Sequence, residues 1–386
     1  MKLGIISDCI HYKTPDGSIG TENHILLRQL QALSSFYADT LICCPFETYN
    51  ASKVISVYSG SNIQFTPVPS VGGNTLKAKL GLINAIRAWW KAYKKIDQFS
   101  DIVYQRFPNN LNIPAFFYFA SKGKKVFATY TGTWKGYPSE PVTYRFQRWL
   151  LKHYYKGPVW VYSNELKSNK RIFSGSSPSY SAAEWDEETV QVQKRIERIR
   201  KDGIQVFRLI TVGKLISYKN QAGIVRSCAL LKKQQFPFSL AIVGDGPMRT
   251  ELQNLIIELG LQEEIKLMGK KNSSELRELY RQHDFVVQAP FSEGFGKVPV
   301  EGFFHGAIPV INNISMASAM TGNKERGFLF DASDEKNLAD TLVSIKTEIE
   351  QLPGMIIKGR AFAKAQTLEQ WAEEYYRTVT NYFGET

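Results

Sequence analysis

One segment predicts the fold of this chain: Ser292-Glu293-Gly294-Phe295-Gly296-Lys297-Val298-Pro299-Val300-Glu301. Val286 and Val287 precede it like the end of a buried strand, and residues 298–305 have the pattern of a helix. The two glycines let backbone N–H groups approach a ligand without obstruction by a Cβ atom. The start of the helix adds N–H donors and a partial positive charge, so this turn suits a phosphate group.

Two glutamates bracket this glycine turn. Glu301 follows Glu293 by eight residues and lies about one turn into the predicted helix, so both side chains can face the same ligand. A carboxylate has two acceptor oxygens and can hold two vicinal hydroxyls of a ribose or a sugar ring. The alternative is a strand, a turn and a helix whose acids are simply solvated, and the spacing alone does not separate the two.

The order of strand, glycine turn and helix recurs across residues 206–330. Strands predicted at 208–212, 238–243 and 265–268 each end at a glycine, and a further strand at 308–311 follows Gly306. These glycines are Gly213, Gly244 and Gly269. Alternation of strands with helices predicts a parallel sheet, whose ligands bind at the carboxyl ends of its strands.

In this region the chain resembles the C-terminal domain of the GT4 family of GT-B glycosyltransferases. Four motifs recur there in the order found here, and the ordered set is more specific than any one of them. They are the turns Gly213-Lys214-Leu215, Lys219-Asn220-Gln221 and Gly244-Asp245-Gly246-Pro247, and the acid pair Glu293 and Glu301. The resemblance implies an α/β, GT-B fold: two facing Rossmann-like domains with parallel sheets, a donor in the cleft, and a C-terminal helix that crosses back to the N-terminal domain.

The first half of the chain has the same layout with weaker motifs. Strands are predicted at 3–7, 40–44, 102–106, 126–130 and 159–163, with a first helix capped near Thr21. Residues 164–205 turn polar and charged, so we place the domain boundary near residue 200. The predicted domains are an acceptor-side domain, 1–200, joined by a returning helix, 366–386, and a nucleotide-sugar-binding domain, 201–365.

The resemblance also implies a donor site. Lys214, Lys219 and the amides of 294–296 would stabilise charge on the departing diphosphate, Glu293 would orient the donor sugar, and Glu301 would hold the ribose. The other predicted donor-binding residues are Gly20, Gly213, Gly244, Gly269, Lys270, Gly294, Phe295, Gly296 and Lys297. Relatives most often have arginine in place of Lys214, and lysine lacks the planar fork that grips a diphosphate. Exposed strand-end charges remain the alternative for both lysines, and a plain turn is the alternative for Gly244.

The residues predicted on the acceptor or sugar side lie in the half of the chain that departs more from the family pattern. They are His24, Arg106, Tyr130 and Thr131. Many relatives have a histidine after the strand that corresponds to 126–130, where this chain has Tyr130-Thr131. Packing is the alternative for His24, and a solvated loop arginine is the alternative for Arg106.

The GT4 resemblance implies a retaining glycosyltransferase that moves a sugar from a UDP- or GDP-sugar to a hydroxyl acceptor, and we expect it to act without a metal in cell-surface polysaccharide or glycolipid assembly. The chain contains no Asp-x-Asp pair, which often holds a metal on the diphosphate, so no metal and no cofactor are expected. The alternative is a non-catalytic sugar-nucleotide or polyanion binding protein. A dinucleotide-binding dehydrogenase is disfavoured because Gly244-x-Gly246 lacks the third glycine of that fingerprint.

Composition predicts a globular, cytoplasmic protein. The 386 residues suffice for two domains of ordinary size. The cysteines, Cys9, Cys43, Cys44 and Cys228, form no C-x-x-C pair and lie in or beside apolar runs, which indicates reduced thiols. The sequence has no run of 18 apolar residues, and its start has no signal-peptide pattern.

The positive charge of the chain is concentrated in its first half. The net charge is +12; residues 1–180 hold 22 Lys and Arg against 9 Asp and Glu, and the remainder is nearly balanced. Basic and aromatic residues mix in two helical patterns, 77–96 and 144–156, which suits the headgroup region of an anionic membrane. We therefore predict a saccharide or lipid-linked saccharide acceptor and a peripheral membrane contact, with no nucleic-acid partner. The alternative is that the aromatic residues face the core and the lysines face water.

Overall fold

The computed structural model describes residues 1–50, 53–70, 76–137, 140–163, 166 and 170–384, with residues 76–84 described by their backbone alone. Its contacts divide the chain into two compact units. The first unit comprises Met1–Ser179 with Leu368–Thr386, and the second comprises Tyr180–Thr367.

The first unit is a mainly parallel sheet with helices packed on it. Its strands are β1 (Lys2–Ile6), β2 (His11–Lys13), β3 (Ile19–Thr21), β4 (Asp39–Glu47), β5 (Ser56–Val57), β6 (Ile63–Val68), β7 (Ile102–Phe107), β8 (Lys125–Thr133), β9 (Val159–Tyr162) and β10 (Ile172–Ser174). Its helices are α1 (His24–Ser34), α2 (Leu76–Phe99), α3 (Asn112–Ser121), α4 (Val142–His153) and the C-terminal α13 (Leu368–Phe383). The strand order is β10-β9-β8-β7-β1-β4-β2-β3-β5, with β6 also paired to β4.

Sequence pattern explains why these segments form central strands. In β1, β7 and β9 almost every residue is buried, as expected when helices cover both faces of a parallel sheet. Helix α1 begins two residues later than predicted. Its N-cap is Asn23, whose side chain accepts a hydrogen bond from Leu26 N, whereas Thr21 ends strand β3.

Helix α13 belongs to the first unit. Tyr375 stacks on Trp160 of β9 with ring centroids 3.8 Å apart, and its hydroxyl lies 3.1 Å from Thr129 Oγ1 of β8. The predicted return of the last helix to the first domain matches this packing. Among the described residues, no helix is long and apolar enough to cross a membrane.

The second unit is a parallel sheet with the strand order β13-β12-β11-β14-β15-β16. These strands are β11 (Phe207–Val212), β12 (Phe238–Val243), β13 (Ile265–Gly269), β14 (Phe285–Gln288), β15 (Ile308–Asn312) and β16 (Phe328–Phe330). The helices are α5 (Ala182–Asp202), α6 (Gln221–Lys233), α7 (Arg249–Glu258), α8 (Ser273–Gln282), α9 (Lys297–Phe304), α10 (Ala317–Thr321), α11 (Glu335–Ile345) and α12 (Leu352–Lys364), with 3-10 turns at Ser217–Lys219 and Ile349–Gln351.

The division between the units lies about 20 residues before the predicted boundary at 200. Most of the charged segment before residue 200 is helix α5, which packs on α12 of the second unit. A capping box starts it: the Ser181 side chain accepts from Glu184 N, and the Glu184 carboxylate accepts from Ser181 N. Its apolar stripe includes Val192, Ile196 and Ile199, which join the second unit's core.

Candidate functional site

The carboxyl ends of the strands of the second unit bring the predicted donor residues to one edge. The loop after β11 carries Lys214 and Lys219, and the loop after β14 carries Glu293. Gly244 follows β12, and Lys270 follows β13. Because β14 and β12 both pair with β11, these loops are neighbours at the edge where parallel sheets bind ligands.

Lys219 and Glu293 form an ion pair at this edge. The Lys219 ammonium donates to Glu293 Oε2, and the two side chains are 19% and 28% exposed. The other carboxylate oxygen accepts from Gly294 N at 3.3 Å. Lys219 is placed by a 3-10 turn that ends at Asn220, whose left-handed backbone (φ +53°) and side chain cap helix α6. A cation and an anion are thus held side by side, partly shielded from water.

The glycine turn runs directly into helix α9. Gly296 is the N-cap of α9, with φ +77°, and has no side chain to accept from the N–H groups of the first turn. The turn is held by Ser315, whose hydroxyl donates to Gly294 O at 2.8 Å. A helix start of this kind presents backbone donors and a partial positive charge to an anion.

A cavity of about 110 Å³ lies beside this turn. Its polar lining includes Lys219, Glu293, Lys297 and two strand-end amides, Gln288 and Asn312. Its apolar lining includes Phe295, Met316 and Met320. The structure therefore brings Lys219, Glu293, Gly294, Phe295, Gly296 and Lys297 of the predicted site to one cavity.

Glu301 is buried, so its carboxylate is not simply solvated by water. The residue is 7% exposed, and its Oε2 accepts a hydrogen bond of 2.9 Å from the hydroxyl of Tyr280 on α8. Burial raises the pKa of Tyr280 well above its usual value, and the nearby carboxylate raises it further, so this hydroxyl stays protonated as a donor. A buried carboxylate with a fixed donor is an oriented acceptor, and the simply solvated alternative does not apply to Glu301.

A buried histidine and glutamate continue this network. His305 Nε2 lies 3.0 Å from the Tyr180 hydroxyl, and Nδ1 lies 3.1 Å from Glu188 Oε1. Arg281 donates to both oxygens of Glu188. Burial alone would raise the pKa of Glu188, but hydrogen bonds and positive charge from His305 and Arg281 outweigh it and lower that pKa to about 2.

The glycine turns after β11 and β12 pack against each other. A Cβ atom on Gly244 would lie 1.9 Å from Gly213 O, and one on Gly246 would lie 2.4 Å from Leu215 O. Close backbone approach therefore accounts for Gly244 and Gly246, which favours the plain-turn alternative for them. Lys214 and Lys270 are exposed beside these turns.

The packing of two residues of the first unit corrects the roles predicted for them. Tyr130 is 1% exposed, and its hydroxyl lies 3.4 Å from Glu140 Oε1, so it is a core residue and does not reach a sugar in this conformation. Gly20 is buried in β3, where a Cβ atom would lie 2.3 Å from Ser56 O. Strand pairing therefore explains this glycine without a donor contact.

The remaining residues predicted for the acceptor side stay at the surface or half-buried. His24 is exposed at the first position of α1, so the packing alternative for it is wrong. Arg106 ends β7, and its guanidinium donates to Gln29 Oε1 at 3.3 Å. Thr131 donates to Phe107 O at 3.0 Å. Neither Arg106 nor Thr131 is excluded from a ligand by burial.

The two basic-aromatic patterns are split between core and surface. Trp89 and Tyr93 of α2 are buried, whereas Trp90 is 51% exposed. On α4, Phe146 and Trp149 are exposed and stacked, with ring centroids 5.9 Å apart. The other exposed members are Arg87, Lys91, Lys94, Lys95, Arg145, Lys152, Tyr154 and Lys156. The side chains of Lys77 and Lys79 lie outside the described ones.

Arg148 does not belong to the exposed basic surface that was predicted for α4. It is buried and forms a two-pronged pair with Glu140, in which Nη2 donates to Oε2 at 2.6 Å. Its charge is therefore part of the core of the first unit and does not contribute to a membrane-facing surface.

Several residues around the site were not predicted from the sequence. They are Tyr280, His305, Glu188, Arg281, Gln288 and Asn312. The Ser181-x-x-Glu184 capping box is a sequence signal that predicts a helix through Glu188. A polar residue closing a buried strand, as Gln288 and Asn312 do, indicates a site at the sheet edge.

Comparison with known proteins finds a family match in the second half of the chain. Residues 194–361 match the family model of glycosyl transferases group 1. A D-inositol 3-phosphate glycosyltransferase of Corynebacterium efficiens is 26% identical over 179 residues, or 44% of this chain and 42% of the relative. An N-acetylgalactosamine-N,N'-diacetylbacillosaminyl-diphospho-undecaprenol 4-alpha-N-acetylgalactosaminyltransferase of Campylobacter jejuni is 28% identical over 158 residues, 41% of this chain and 42% of the relative. The matches thus span less than half the length of these relatives.

Solved structures match the whole chain in fold. A glycosyltransferase from Rickettsia africae superposes with a TM-score of 0.67 at 16% identity, covering 100% of this chain and 99% of that one. HepE from Anabaena, solved with UDP and glucose, superposes with a TM-score of 0.71 at 14% identity, covering 98% and 99%. Residues 194–361 are therefore similar to the glycosyl transferases group 1 family, in line with the GT4 resemblance, and the fold of the chain is GT-B.

Proposed function

We propose that this chain is a retaining glycosyltransferase that moves a hexose-type sugar from a UDP- or GDP-sugar to a hydroxyl of a saccharide or lipid-linked saccharide. The observation that carries the proposal is the Lys219–Glu293 ion pair at the N-terminus of α9. It provides a cation, an acceptor for sugar hydroxyls and backbone donors in one place. Glu301, on the same helix, adds the oriented carboxylate that a ribose requires.

In this proposal Lys219 and the start of α9 stabilise the departing diphosphate. As the C1–O bond of the donor sugar breaks, negative charge grows on the diphosphate, and fixed positive groups lower the energy of that state. Lys214, exposed at the end of β11, adds a further cation. The phosphate oxygens compete with Glu293 for the Lys219 ammonium, and the released Glu293 then accepts from hydroxyls of the donor sugar.

The acceptor oxygen bonds to C1 on the face from which the diphosphate leaves, which preserves the anomeric configuration. The proton of the acceptor hydroxyl passes to the departing diphosphate, the nearest base on that face. We assign no covalent nucleophile to this chain. The cationic side chain and helix start neutralise the leaving group, so we propose that no divalent metal is required.

The names of two proteins reported above support the class of donor and acceptor. HepE was solved with UDP and glucose, and the Campylobacter relative is named for a diphospho-undecaprenol acceptor. We therefore propose a role in the assembly of cell-surface polysaccharide or glycolipid.

We further propose that the first unit contacts an anionic membrane surface from the cytoplasmic side. Phe146, Trp149 and Tyr154 are 38%, 44% and 56% exposed, and Lys152 and Lys156 are exposed near them. Aromatic rings flanked by lysines suit the headgroup region, where each Lys or Arg contributes about 1 kcal/mol. Such a contact would bring the enzyme to a lipid-linked acceptor.

The proposed activity is tested by binding and transfer together. Thermal shifts with UDP-, GDP- and ADP-sugars identify the donor, because a ligand of the native state raises its melting temperature. The stabilising donor is then incubated with polyprenyl-linked saccharides, and released nucleotide and elongated product are measured. We expect stabilisation by one class of donor and transfer that Lys219→Ala and Glu293→Gln both abolish.

Lys232→Ala is the matched control for these variants. It breaks another lysine–carboxylate pair of the second unit, Lys232–Glu264, which lies directly before β13 at the opposite, amino-terminal edge of the sheet, and should leave transfer unchanged. Binding without transfer or donor hydrolysis would favour the non-catalytic sugar-nucleotide binder instead. Absence of binding by every donor would contradict the proposed function.

A further inference from the structure

A chain of buried contacts ends on the carboxylate of Glu301. Tyr280 donates to Glu301 Oε2 at 2.9 Å, and its ring stacks on the imidazole of His305, with centroids 5.3 Å apart and planes 13° apart. Tyr280 and His305 are 0% and 1% exposed. The hydroxyl that orients Glu301 is therefore itself part of a packed stack.

Further contacts hold both members of this stack, Tyr280 and His305, in place. His305 lies within 3.1 Å of Glu188 Oε1 and 3.0 Å of the Tyr180 hydroxyl. The backbone carbonyl of Tyr280 accepts from Arg195 Nη2 at 2.7 Å, and Arg195 is 6% exposed. Ring, backbone and hydroxyl of Tyr280 are thus each fixed by a separate contact.

We propose that Tyr280 is a positioning residue of the nucleotide site, with His305 fixing its ring, so that Glu301 presents its carboxylate to a ribose in one orientation. This inference rests on the proposed ribose role of Glu301. A carboxylate rotates about its terminal bond, whereas two vicinal hydroxyls are best held by oxygens in one plane. The hydroxyl of Tyr280 restricts that rotation before the nucleotide arrives, which lowers the cost of binding.

The test compares ribonucleotides with 2′-deoxyribonucleotides. Titration calorimetry with UDP, dUDP, GDP and dGDP measures how strongly the protein prefers a ribose that carries both hydroxyls. Wild-type protein should prefer the ribonucleotide of whichever base it binds, and Glu301→Gln should abolish the preference. Tyr280→Phe should weaken ribonucleotide binding about fivefold and deoxyribonucleotide binding much less. The variant loses the hydrogen bond that orients the Glu301 carboxylate, not a direct hydrogen bond to the nucleotide.

Tyr93→Phe is the matched control. Tyr93 is also 0% exposed, and its hydroxyl donates to Leu111 O at 2.6 Å in the first unit. Its loss should lower the melting temperature without changing the ratio of the two nucleotide affinities. A purely structural role for Tyr280 would give the same result as this control, so an unchanged ratio in Tyr280→Phe would overturn the inference.

The failure of this inference is distinguishable from failure of the proposed function. If Glu301→Gln removes the ribose preference and Tyr280→Phe does not, only the positioning role is wrong. If wild-type protein shows no ribose preference, or binds neither UDP nor GDP, the ribose role of Glu301 is wrong. The positioning role of Tyr280 is then wrong as well. His305→Leu, which keeps the Tyr280 hydroxyl but removes the stacked ring, should reduce the preference less than Tyr280→Phe.

Discussion

At the scale of single residues, the site depends on how three charged side chains are held. Lys219 and Glu293 neutralise each other at the sheet edge, and Glu301 lies in the interior with Tyr280 as its donor. Ionised groups shielded from water require fixed partners, and those partners determine where the charges point. The direction of these groups, more than their number, makes the edge selective for a nucleotide sugar in the function we propose.

Replacement of Glu301 by glutamine should weaken nucleotide binding without unfolding the second unit. The amide oxygen of Glu301→Gln can still accept from Tyr280, but each lost charged hydrogen bond to the ribose is worth about 1.5–3 kcal/mol. We expect affinity for the bound nucleotide to fall at least about tenfold by calorimetry. Glu258→Gln, an exposed site on α7, removes the same charge and should have no effect. Equal affinities of Glu301→Gln and wild type would remove Glu301 from the ribose role.

The stability of the second unit should fall in acid because of Glu188. Its pKa is lowered from 4.5 to about 2, so its contribution to stability is present above pH 4.5 and is lost as the pH falls toward 2. Urea unfolding midpoints measured from neutral pH down to about pH 3 should decrease more steeply in wild type than in Glu188→Gln. Parallel pH profiles for the two proteins would show that the Glu188–Arg281–His305 cluster does not stabilise the fold in this way.

At the scale of secondary-structure elements, the sequence predicts the central strands better than the site's surroundings. Apolar runs that end at glycine mark β11 and β12 because central strands covered on both faces need hydrophobic residues, whereas β13 is a partly buried edge strand. The sequence analysis does not predict helix α5, because its many charged residues hide the helical spacing of its few apolar residues. The Tyr280–Glu301 contact joins α8 to α9 over 21 residues and has no local sequence signature.

Helices α2 and α4 contain the surface through which we expect membrane attachment. Lys91, Lys94 and Lys95 of α2 are all exposed, beside Trp90. Replacing all three lysines by glutamine should weaken binding to phosphatidylserine-containing vesicles by about 1 kcal/mol per charge that faces the surface. Flotation should show strong binding at low salt and little near 1 M, where the Debye length is about 3 Å.

Two comparisons make the vesicle experiment decisive. Lys232, Lys233 and Lys266 of the second unit are exposed as well, and their replacement by glutamine removes the same charge without touching α2 or α4. This control should float like wild type. Equal recovery with neutral and anionic vesicles would refute the membrane contact while leaving the glycosyltransferase proposal intact, with a soluble acceptor.

At the scale of the whole molecule, the two units differ in charge and in how strongly they match known proteins. The family match covers residues 194–361, within the second unit, whereas the net positive charge is concentrated in residues 1–180. The fold of the whole chain could be predicted because both halves alternate strands and helices. The acceptor could not, because Tyr130 is explained by packing and leaves no motif that specifies it.

In the function we propose, transfer should not require a divalent metal. We propose that Lys219 and the N-terminus of α9 supply the positive charge that a metal ion would otherwise give to the leaving diphosphate. Product formation in excess EDTA should remain within about twofold of the untreated rate, a change of under about 0.5 kcal/mol in activation free energy. Loss of transfer in EDTA that magnesium or manganese restores would contradict this prediction.

A crystal structure with the bound donor nucleotide would show which groups hold the diphosphate and the ribose. We predict that the diphosphate lies within hydrogen-bonding distance of Lys219 Nζ and of the backbone N–H groups at the start of α9, and that both ribose hydroxyls bind Glu301. The Lys219–Glu293 contact should be broken or lengthened in that complex. A nucleotide bound away from the carboxyl ends of β11 and β14, or bound with its ribose turned away from Glu301, would contradict the proposed donor site.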